Sequence, residues 1–396
     1  MTLTSISLNA VNAEPSALIE DANDDFSSSG VPLTEPPPTV TYSYVANNIN
    51  LHSGEVAALI NTGGSWDALY GSELTVELTS AWANVLGGAN TIYFANNGDA
   101  ASLYNTGGAW DAVTGSNGWI ALTSAWANVT GGGDTISLDS LGGGLPPAVS
   151  LYNTGGAWDA ISGGIGTIEL TSAWANVSSG DSEGGETISF ANDGCAASLY
   201  GLFGPGAWNA ITGSDGTIEL TRAWANVIGG ADTIFLADDE CAASLYTTGG
   251  AWDAVAGSNG SIALTNAWAN VTGGGDTIDF ASAGCAASLF NTGAHADTIE
   301  GASGSIGLAN AAVNLPAASE TISLLGAPAF GLDTISGFTS ADSMAFSKSD
   351  FANWSALSSH ISQSGANTLI TLDANDVITL INVQASSLTS SQFSFV

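Results

Sequence analysis

The chain has 396 residues, of which 37 are acidic and only two are basic, so the formal net charge is −35. Because two cationic side chains cannot neutralise a row of phosphates, the composition excludes nucleic acids and anionic membrane surfaces as partners. The hydrophobic fraction of 45%, with 12 Trp residues, excludes disorder of the whole chain, and no apolar run reaches the roughly 18 residues of a membrane-spanning helix.

Residues 1–46 are predicted to form a disordered tail. They contain an acidic patch between Glu20 and Asp25 and a run of three prolines at 36–38, which favours extended structure. The first residues lack both a basic region and a continuous apolar stretch, so no Sec signal peptide is expected.

Residues 47–327 are predicted to be a tandem array of about six repeats of 44–50 residues. The copy at 100–138 reads AASLYNTGGAWDAVTGSNGWIALTSAWANVTGGGDTISL. The last copy, 286–327, is degenerate and carries Ala296 and Ala312 where the other copies carry Trp. An atypical last repeat is typical of stacked arrays, because its outer side meets something other than another repeat.

The pieces I-x-L and T-I-x-F alternate with a period of two, which predicts short strands, and Gly-rich segments between them predict turns. Each repeat divides into three units of about 15 residues, interpreted as three coils. The A-W-x-x-V pieces fit either a strand next to a corner or a single helical turn, and the strand is preferred. The prediction is an all-β, parallel β-solenoid of the β-helix or β-roll kind, with a β-rich C-terminal cap at 328–396.

An aspartate follows the position of the first Trp in five copies, although the last of these has Ala296 in place of Trp: Asp67, Asp111, Asp159, Asp253 and Asp297. With three coils per repeat these carboxylates would lie about 14 Å apart, beyond a Debye length of about 8 Å. That spacing favours a solvated or turn-forming role, with calcium binding as the alternative. Taken with the acids of the Gly-Gly-x-Asp-Thr-Ile segments, the candidate calcium ligands are Asp111, Asp134, Asp159, Asp232, Asp253 and Asp276.

Each of five copies carries two Trp residues 16 positions apart. They form either the core or an exposed ladder on which sugars stack; Arg222, two residues before Trp224, favours the ladder unless a corner intervenes. The core interpretation is preferred, and the candidate glycan-binding residues are Trp66, Trp82, Trp110, Trp126, Trp158, Trp174, Trp208, Trp224, Trp252 and Trp268.

Two further repeated positions are interpreted as structural. The asparagine of A-W-A-N-V is expected to bond backbone groups at a turn, with a ligand-binding role as the alternative. The cysteines Cys195, Cys241 and Cys285 are expected to be small core residues without disulfides. The asparagine positions are Asn84, Asn128, Asn176, Asn226, Asn270 and Asn314.

No catalytic group is expected. His52, His295 and His360 occur in unrelated contexts, and the adjacent acids Asp238 and Asp239 are typical of a solvated turn. A zinc site or an organic cofactor is not predicted either.

The glycine–acid segments GGGDTI (131–136) and GGADTI (229–234) resemble the calcium-binding RTX nonapeptide GGxGxDxUx. The C-terminal segment, with GLDTI at 331–335, NTLITLD at 367–373, DVITL at 376–380 and the ending FSF at 393–395, resembles the targeting region of RTX proteins such as serralysin-type proteases. This resemblance implies calcium as a stabilising ion. It also implies the type I secretion machinery as a partner and a secreted or cell-surface location on a Gram-negative bacterium.

The sequence thus predicts a secreted structural or adhesive repeat protein, without membrane insertion and without enzymatic activity. The alternative is a solenoid that binds extracellular polysaccharide or a cell surface through its Trp residues. An ice- or mineral-binding face is a weaker alternative because regular Thr-x-Thr rows are missing.

Overall fold

The structure is a computed structural model. It describes residues 6–7, 39–43, 48–62, 65–104, 106–139, 145–152, 154–163, 166–179, 185–200, 208–239, 241–293, 295–316, 319–324 and 330–396. The chain divides into two compact units, Met1–Thr187 and Ile188–Val396. Each unit is all-β, and the predicted parallel β-solenoid is confirmed.

In the first unit, successive strands alternate between two parallel sheets, one of even-numbered and one of odd-numbered strands. The strands are β1 (Ile6–Ser7), β2 (Thr39–Ser43), β3 (Asn48–Asn50), β4 (Val56–Ile60), β5 (Trp66–Tyr70), β6 (Thr75–Thr79), β7 (Trp82–Leu86), β8 (Thr91–Phe94), β9 (Ala100–Tyr104), β10 (Trp110–Thr114), β11 (Trp119–Thr123), β12 (Trp126–Thr130), β13 (Thr135–Asp139), β14 (Ala148–Tyr152), β15 (Trp158–Gly163), β16 (Thr167–Thr171) and β17 (Trp174–Ser179).

The second unit alternates in the same way up to its last coil. Its strands are β18 (Thr187–Phe190), β19 (Ala196–Tyr200), β20 (Asn209–Thr212), β21 (Thr217–Thr221), β22 (Trp224–Ile228), β23 (Thr233–Leu236), β24 (Ala242–Tyr246), β25 (Asp253–Ala256), β26 (Ser261–Thr265), β27 (Trp268–Thr272), β28 (Thr277–Phe280), β29 (Ala286–Phe290), β30 (Asp297–Gly301), β31 (Ser305–Ala309), β32 (Ala312–Asn314), β33 (Thr321–Leu324), β34 (Leu332–Ser336), β35 (Ser343–Phe346), β36 (Ile361–Ser364), β37 (Asn367–Thr371), β38 (Val377–Leu380) and β39 (Phe393–Phe395).

One sequence repeat contains five strands, as β9 to β13 show for the copy at 100–138. Because two consecutive strands make one coil, a repeat spans two and a half coils rather than the three that the sequence suggested. The D-T-I-x-[FL] unit is a single strand, and the coil that it begins is completed by the S-L-Y strand of the next copy. Equivalent strands of successive copies therefore lie on opposite sheets.

Strand parity builds the core, because alternate residues point inward. In β11 and β13 the inward residues are Ile120, Leu122, Ile136 and Leu138, each at most 2% exposed. The three cysteines are buried and form no disulfide, as predicted. The A-W-A-N-V pieces are strands, which confirms the preferred interpretation.

Corners between the sheets use backbone conformations that L residues seldom adopt. The residue two positions before the second Trp has a positive φ in every copy, for example 47° at Ser124 and 52° at Arg222. Gly131 turns another corner with φ +133°, and a Cβ there would lie 1.5 Å from the carbonyl oxygen of Gly115. Adjacent coils stack so closely at this corner that only glycine fits.

The C-terminal region ends the parallel array. Strand β38 pairs in parallel with β34 and in antiparallel fashion with β37, which pairs with β36, while β39 pairs in parallel with β35. A short helix, α1 (Trp354–Ser358), begins at the N-cap Asn353, and two 3-10 helices cover Ala385–Ser387 and Ser390–Gln392. The antiparallel hairpin covers the exposed edge of the last coil, which would otherwise offer unpaired backbone groups.

The segment 1–46, predicted as a tail, lies mostly outside the described residues. Where it is described it forms strands: β1 pairs with β2, and β2 pairs in parallel with β4. The described part of the chain contains no helix that is long and apolar enough to cross a membrane.

The stacked corner at Gly131 yields a stability prediction. Gly131→Ala should lower the free energy of unfolding by about 3 kcal/mol or more, because the new methyl group collides with the backbone of the adjacent coil. Gly107→Ala is the matched control: its φ is also positive (+66°) but nothing lies within 4 Å of the added Cβ, so the loss should be about 1 kcal/mol. Urea unfolding followed by circular dichroism measures both, and equal losses would contradict the proposed stacking contact.

Candidate functional site

The ten Trp residues form five pairs that lie in, or directly before, neighbouring parallel strands. Within each pair the ring centroids are 5.5–5.7 Å apart and the rings are inclined by 44–47°. The pairs are Trp66 with Trp82, Trp110 with Trp126, Trp158 with Trp174, Trp208 with Trp224, and Trp252 with Trp268.

The Trp pairs lie on the outward faces of the sheets, so the interpretation that they form the core is wrong. In β10 and β12 the inward positions are taken by Asp111, Val113, Ala127 and Val129, which leaves the Trp positions facing out. Three of the first Trp residues stay 36–37% exposed, namely Trp110, Trp158 and Trp252. The exposed position of Arg222 does not explain this orientation, because Arg222 itself turns the corner (φ 52°) before the strand of Trp224.

Beside four of the second Trp residues, the next strand of the sheet carries an alanine at the same register position. Trp82 lies opposite Ala100, Trp126 opposite Ala148 and Trp268 opposite Ala286. The indole N–H of Trp82 donates to the carbonyl oxygen of Gly98 at 3.2 Å. The small residue keeps one side of the ring open while the hydrogen bond fixes its orientation.

The residue on the following strand decides how open this trough is. Next to Ala100 lies Trp119, whose ring meets Trp66 at a centroid distance of 5.5 Å, and the groove there measures about 210 Å³. Next to Ala286 lies Ser305 instead, and the groove beside Trp252 and Trp268 measures about 360 Å³. The last Trp pair therefore has the larger groove of these two.

The repeated asparagines lie within strands on their outward faces, five of them as the third residue and Asn314 as the last residue of β32, so the expected turn-forming role is wrong. Asn128, for example, is the third residue of β12, half-buried, with Ala112 on one neighbouring strand and Ser150 on the other. Next to Ser150 is Glu169, whose carboxylate accepts a hydrogen bond from the Ser150 hydroxyl at 3.0 Å. A row of amide, hydroxyl and carboxylate groups thus runs parallel to the Trp row.

The candidate calcium ligands are all buried, so of the solvated or turn-forming role expected for the aspartates after the first Trp, the solvated part is wrong. Asp111, Asp159 and Asp253 are 0% exposed, and Asp134, Asp232 and Asp276 are at most 2% exposed. The reason is parity: the aspartate is the second residue of the W-D-A-V strand and points inward beside Val. Sequence reasoning counted the spacing of these acids but not the side of the strand on which they lie.

Each buried acid accepts hydrogen bonds from backbone N–H groups of adjacent coils. The Gly118 N–H donates to Asp134 at 2.7 Å, and the Asp134 N–H donates in turn to Asp159 at 2.8 Å. The same arrangement recurs from Gly216 to Asp232 at 2.9 Å and from Asp232 to Asp253 at 3.0 Å. These carboxyl groups take up corner N–H groups that have no partner in the strand ladder.

Burial raises the pKa of these carboxyl groups, against the effect of the hydrogen bonds that they accept. The pKa rises to about 7 at Asp111, Asp159 and Asp253 and to about 6 at Asp232. One oxygen of each of these four groups is buried without a hydrogen-bond partner. A protonated carboxyl, which has one neutral donor and no net charge, suits such an environment better than an ionised one.

Asn209 shows how a protonated aspartate would bond, because it occupies the position after the first Trp in the copy that lacks the aspartate. Its side-chain amide donates to the backbone carbonyl oxygen of Trp224 at 3.0 Å. A protonated aspartate has an O–H group that matches this N–H donor.

Sequence reasoning missed several acids with the same role. Glu186 accepts from the Gly166 N–H at 2.7 Å, Glu320 from the Gly304 N–H at 2.8 Å, and Asp342 from the Glu320 N–H at 2.9 Å. The signal was the acid before Thr-Ile, which Glu186 and Glu320 share with Asp134.

The structure brings four of the six candidate calcium ligands together in two pairs, whereas Asp111 accepts from the Asn90 N–H and the Asp276 N–H donates to Asp297. Asp134 lies next to Asp159, and Asp232 lies next to Asp253. Among the described residues no group of three or more His, Cys, Asp or Glu side chains is placed to hold a metal ion.

The buried acids make stability depend on pH. The folded pKa of Asp111 is about 7 and its unfolded value is about 3.9, so the folded state holds more protons between these limits. The free energy of unfolding should therefore fall as pH rises from about 4 to about 7, by about 1.4 kcal/mol per pH unit for one such group, and then level off. Urea unfolding between pH 5 and 8 measures this slope.

Asp111→Asn should reduce the slope, because the amide cannot ionise and can donate as Asn209 does. Asp193→Asn, at an exposed position, is the matched control and should leave the slope unchanged. Stability that rises with pH over this range, or an unchanged slope in the Asp111 variant, would contradict the assignment.

Comparison with known proteins adds no family to this picture. No protein-family model matches the chain, and no curated protein matches its sequence. The function must therefore be inferred from the outward Trp pairs, the polar row beside them and the charge of the chain.

Proposed function

We propose that this protein is an extracellular adhesive protein that binds polysaccharide through its paired Trp residues. The observation that carries the proposal is the set of five outward Trp pairs, of which Trp66 with Trp82 and Trp252 with Trp268 line grooves of about 210 and 360 Å³. Rigid aromatic side chains that stay exposed on a soluble protein are typical of binding surfaces. The apolar C–H faces of pyranose rings stack well on indole rings, which keep a polar N–H at one edge.

The polar row beside the Trp residues supplies what a sugar needs besides stacking. Hydroxyl groups of a bound glycan require donors and acceptors, and Asn128, Ser150 and Glu169 offer both on the face that carries Trp110 and Trp126. A few polar groups beside an aromatic surface are the usual composition of a ligand site.

The charge of the chain selects the class of polysaccharide. With 37 acidic and two basic residues, the surface repels uronate- or sulfate-bearing glycans and offers them almost no cation to pair with. The proposed ligand is therefore a neutral polysaccharide.

An extracellular location and calcium stabilisation complete the proposal. Both are supported by the resemblance of the C-terminal segment and the glycine–acid segments to RTX proteins. Calcium would act on pairs such as Asp134 and Asp159 when both carboxyl groups are ionised, since a cation offsets the cost of a buried carboxylate. Repeating the pH series with calcium and with a chelator tests this ion.

Replacing the five first Trp residues (66, 110, 158, 208 and 252) by Thr should weaken glycan binding at least about tenfold, a loss of about 1.4 kcal/mol. Thr occurs naturally at outward positions of the same sheets, as at Thr135, so the fold should persist. Affinity electrophoresis in gels with neutral glucan, mannan, galactan or chitin derivatives measures binding, and carboxymethyl cellulose serves as the anionic comparison.

Tyr93→Thr is the control, because it removes an exposed aromatic that lies outside the Trp pairs (43% exposed). It should leave retardation unchanged. Absence of retardation of the unaltered protein in every neutral gel, or equal retardation of the five-Trp variant, would contradict the proposed function.

Export is predicted to require the C-terminal region. In a Gram-negative host with a type I exporter, the full chain should reach the culture medium, and a chain lacking residues 331–396 should stay in the cells. A chain lacking residues 1–46 is the control and should be exported as before. Immunoblots of medium and cells measure both, and undiminished export of the C-terminal deletion would refute this part of the proposal.

A further inference from the structure

The Trp pairs alternate between the two sheets of each unit. In the first unit, Trp66 and Trp82 lie on the odd-numbered sheet, Trp110 and Trp126 on the even-numbered sheet, and Trp158 and Trp174 on the odd-numbered sheet again. In the second unit, Trp208 lies directly before β20 and Trp224 begins β22, both on the even-numbered sheet. Trp252 lies directly before β25 and Trp268 begins β27, both on the odd-numbered sheet. Each unit therefore carries Trp pairs on both faces.

The alternation follows from the odd number of strands in a repeat. Five strands shared between two sheets shift each equivalent strand to the other sheet in the next copy. Copies of 48 and 50 residues keep this count of five, and their additional residues lie between strands. Loop length therefore varies without changing which face a Trp pair occupies.

The two faces cannot serve one straight glycan chain. Facing sheets lie about 10 Å apart with the core between them, so their outward surfaces point in opposite directions. Pairs on the same face are within reach of one chain. The pair beginning at Trp66 and the pair beginning at Trp158 are five strands apart, which is about 24 Å. One polysaccharide chain can extend along one face, and a second chain is needed for the other.

We propose that each unit binds neutral polysaccharide on both faces at once, so that the protein cross-links glycan chains. This inference rests on the proposed function and adds the geometry of the bound state. The strong negative charge keeps copies of the protein apart, so that the bridge between two glycans is a single chain and not a protein dimer.

Two variants with the same number of Trp pairs test the inference. The two-face variant keeps the Trp residues at 66, 82, 110 and 126, and the one-face variant keeps those at 66, 82, 158 and 174. In each variant the other six Trp residues of the five pairs are replaced by Thr. Both variants retain Trp119 and both use the full chain, so they differ only in whether the two remaining pairs share a sheet.

Binding and bridging are read separately. Retardation in a gel with the neutral glycan that retards the unaltered protein reports binding, and clumping of beads coated with that glycan reports bridging. The one-face variant should bind at least as well as the two-face variant, since both of its pairs can hold one chain. The two-face variant should clump beads at a concentration at least about tenfold lower.

Equal clumping by the two variants would overturn the inference while leaving the proposed function intact. If no gel with a neutral glycan retards the unaltered protein, the proposed function and the inference are refuted together. Clumping of uncoated beads would show that protein copies associate directly, which contradicts bridging by a single chain. Circular dichroism of both variants confirms that the solenoid is retained.

Discussion

The structure depends on how the corners satisfy their backbone N–H groups. A strand gives each N–H a partner in the next coil, but a corner leaves some without one, and a buried unpaired donor costs about 1–3 kcal/mol. Here carboxyl oxygens of Asp134, Asp232 and Asp276 accept from glycine N–H groups at 2.7–2.9 Å, and hydroxyls such as Thr106 accept from the N–H of Trp126. The repeated polar positions of the sequence are largely these acceptors.

This use of acids changes the meaning of the composition. The formal charge of −35 counts every acid as ionised, yet burial raises the pKa of Asp111, Asp159 and Asp253 to about 7. Part of the apparent charge is therefore neutral in the folded protein near pH 7, and these acids act as hydrogen-bonding core residues. Glu169 lies instead on an outward face, where its carboxylate accepts a hydrogen bond from the Ser150 hydroxyl.

The sequence predicted the fold class, the strands and the buried cysteines because these follow from the period of two, the Gly-rich turns and residue size. It did not predict the sides of the strands on which Asp111 and Trp110 lie. The side on which a strand residue lies depends on where the preceding corner ends. A corner such as Ser124, which has a positive φ, is marked in the sequence only by a small or polar residue. The coil count failed for the same reason, since a lone T-I-S-L strand followed by a loop has the length of a coil.

Parity also links the repeat to its surface. A repeat with an even number of strands would place every Trp pair on one sheet and make one continuous platform, whereas five strands distribute identical pairs over two faces. The same sequence must then fit both sheets. The inward acid, the outward Trp and the alanine opposite that Trp therefore recur together on each sheet. Trp82 lies opposite Ala100 on the odd-numbered sheet, and Trp126 lies opposite Ala148 on the even-numbered sheet. The presence of Trp pairs on two faces of each unit is thus a consequence of strand count, and it is the arrangement that the proposed cross-linking of two glycan chains requires.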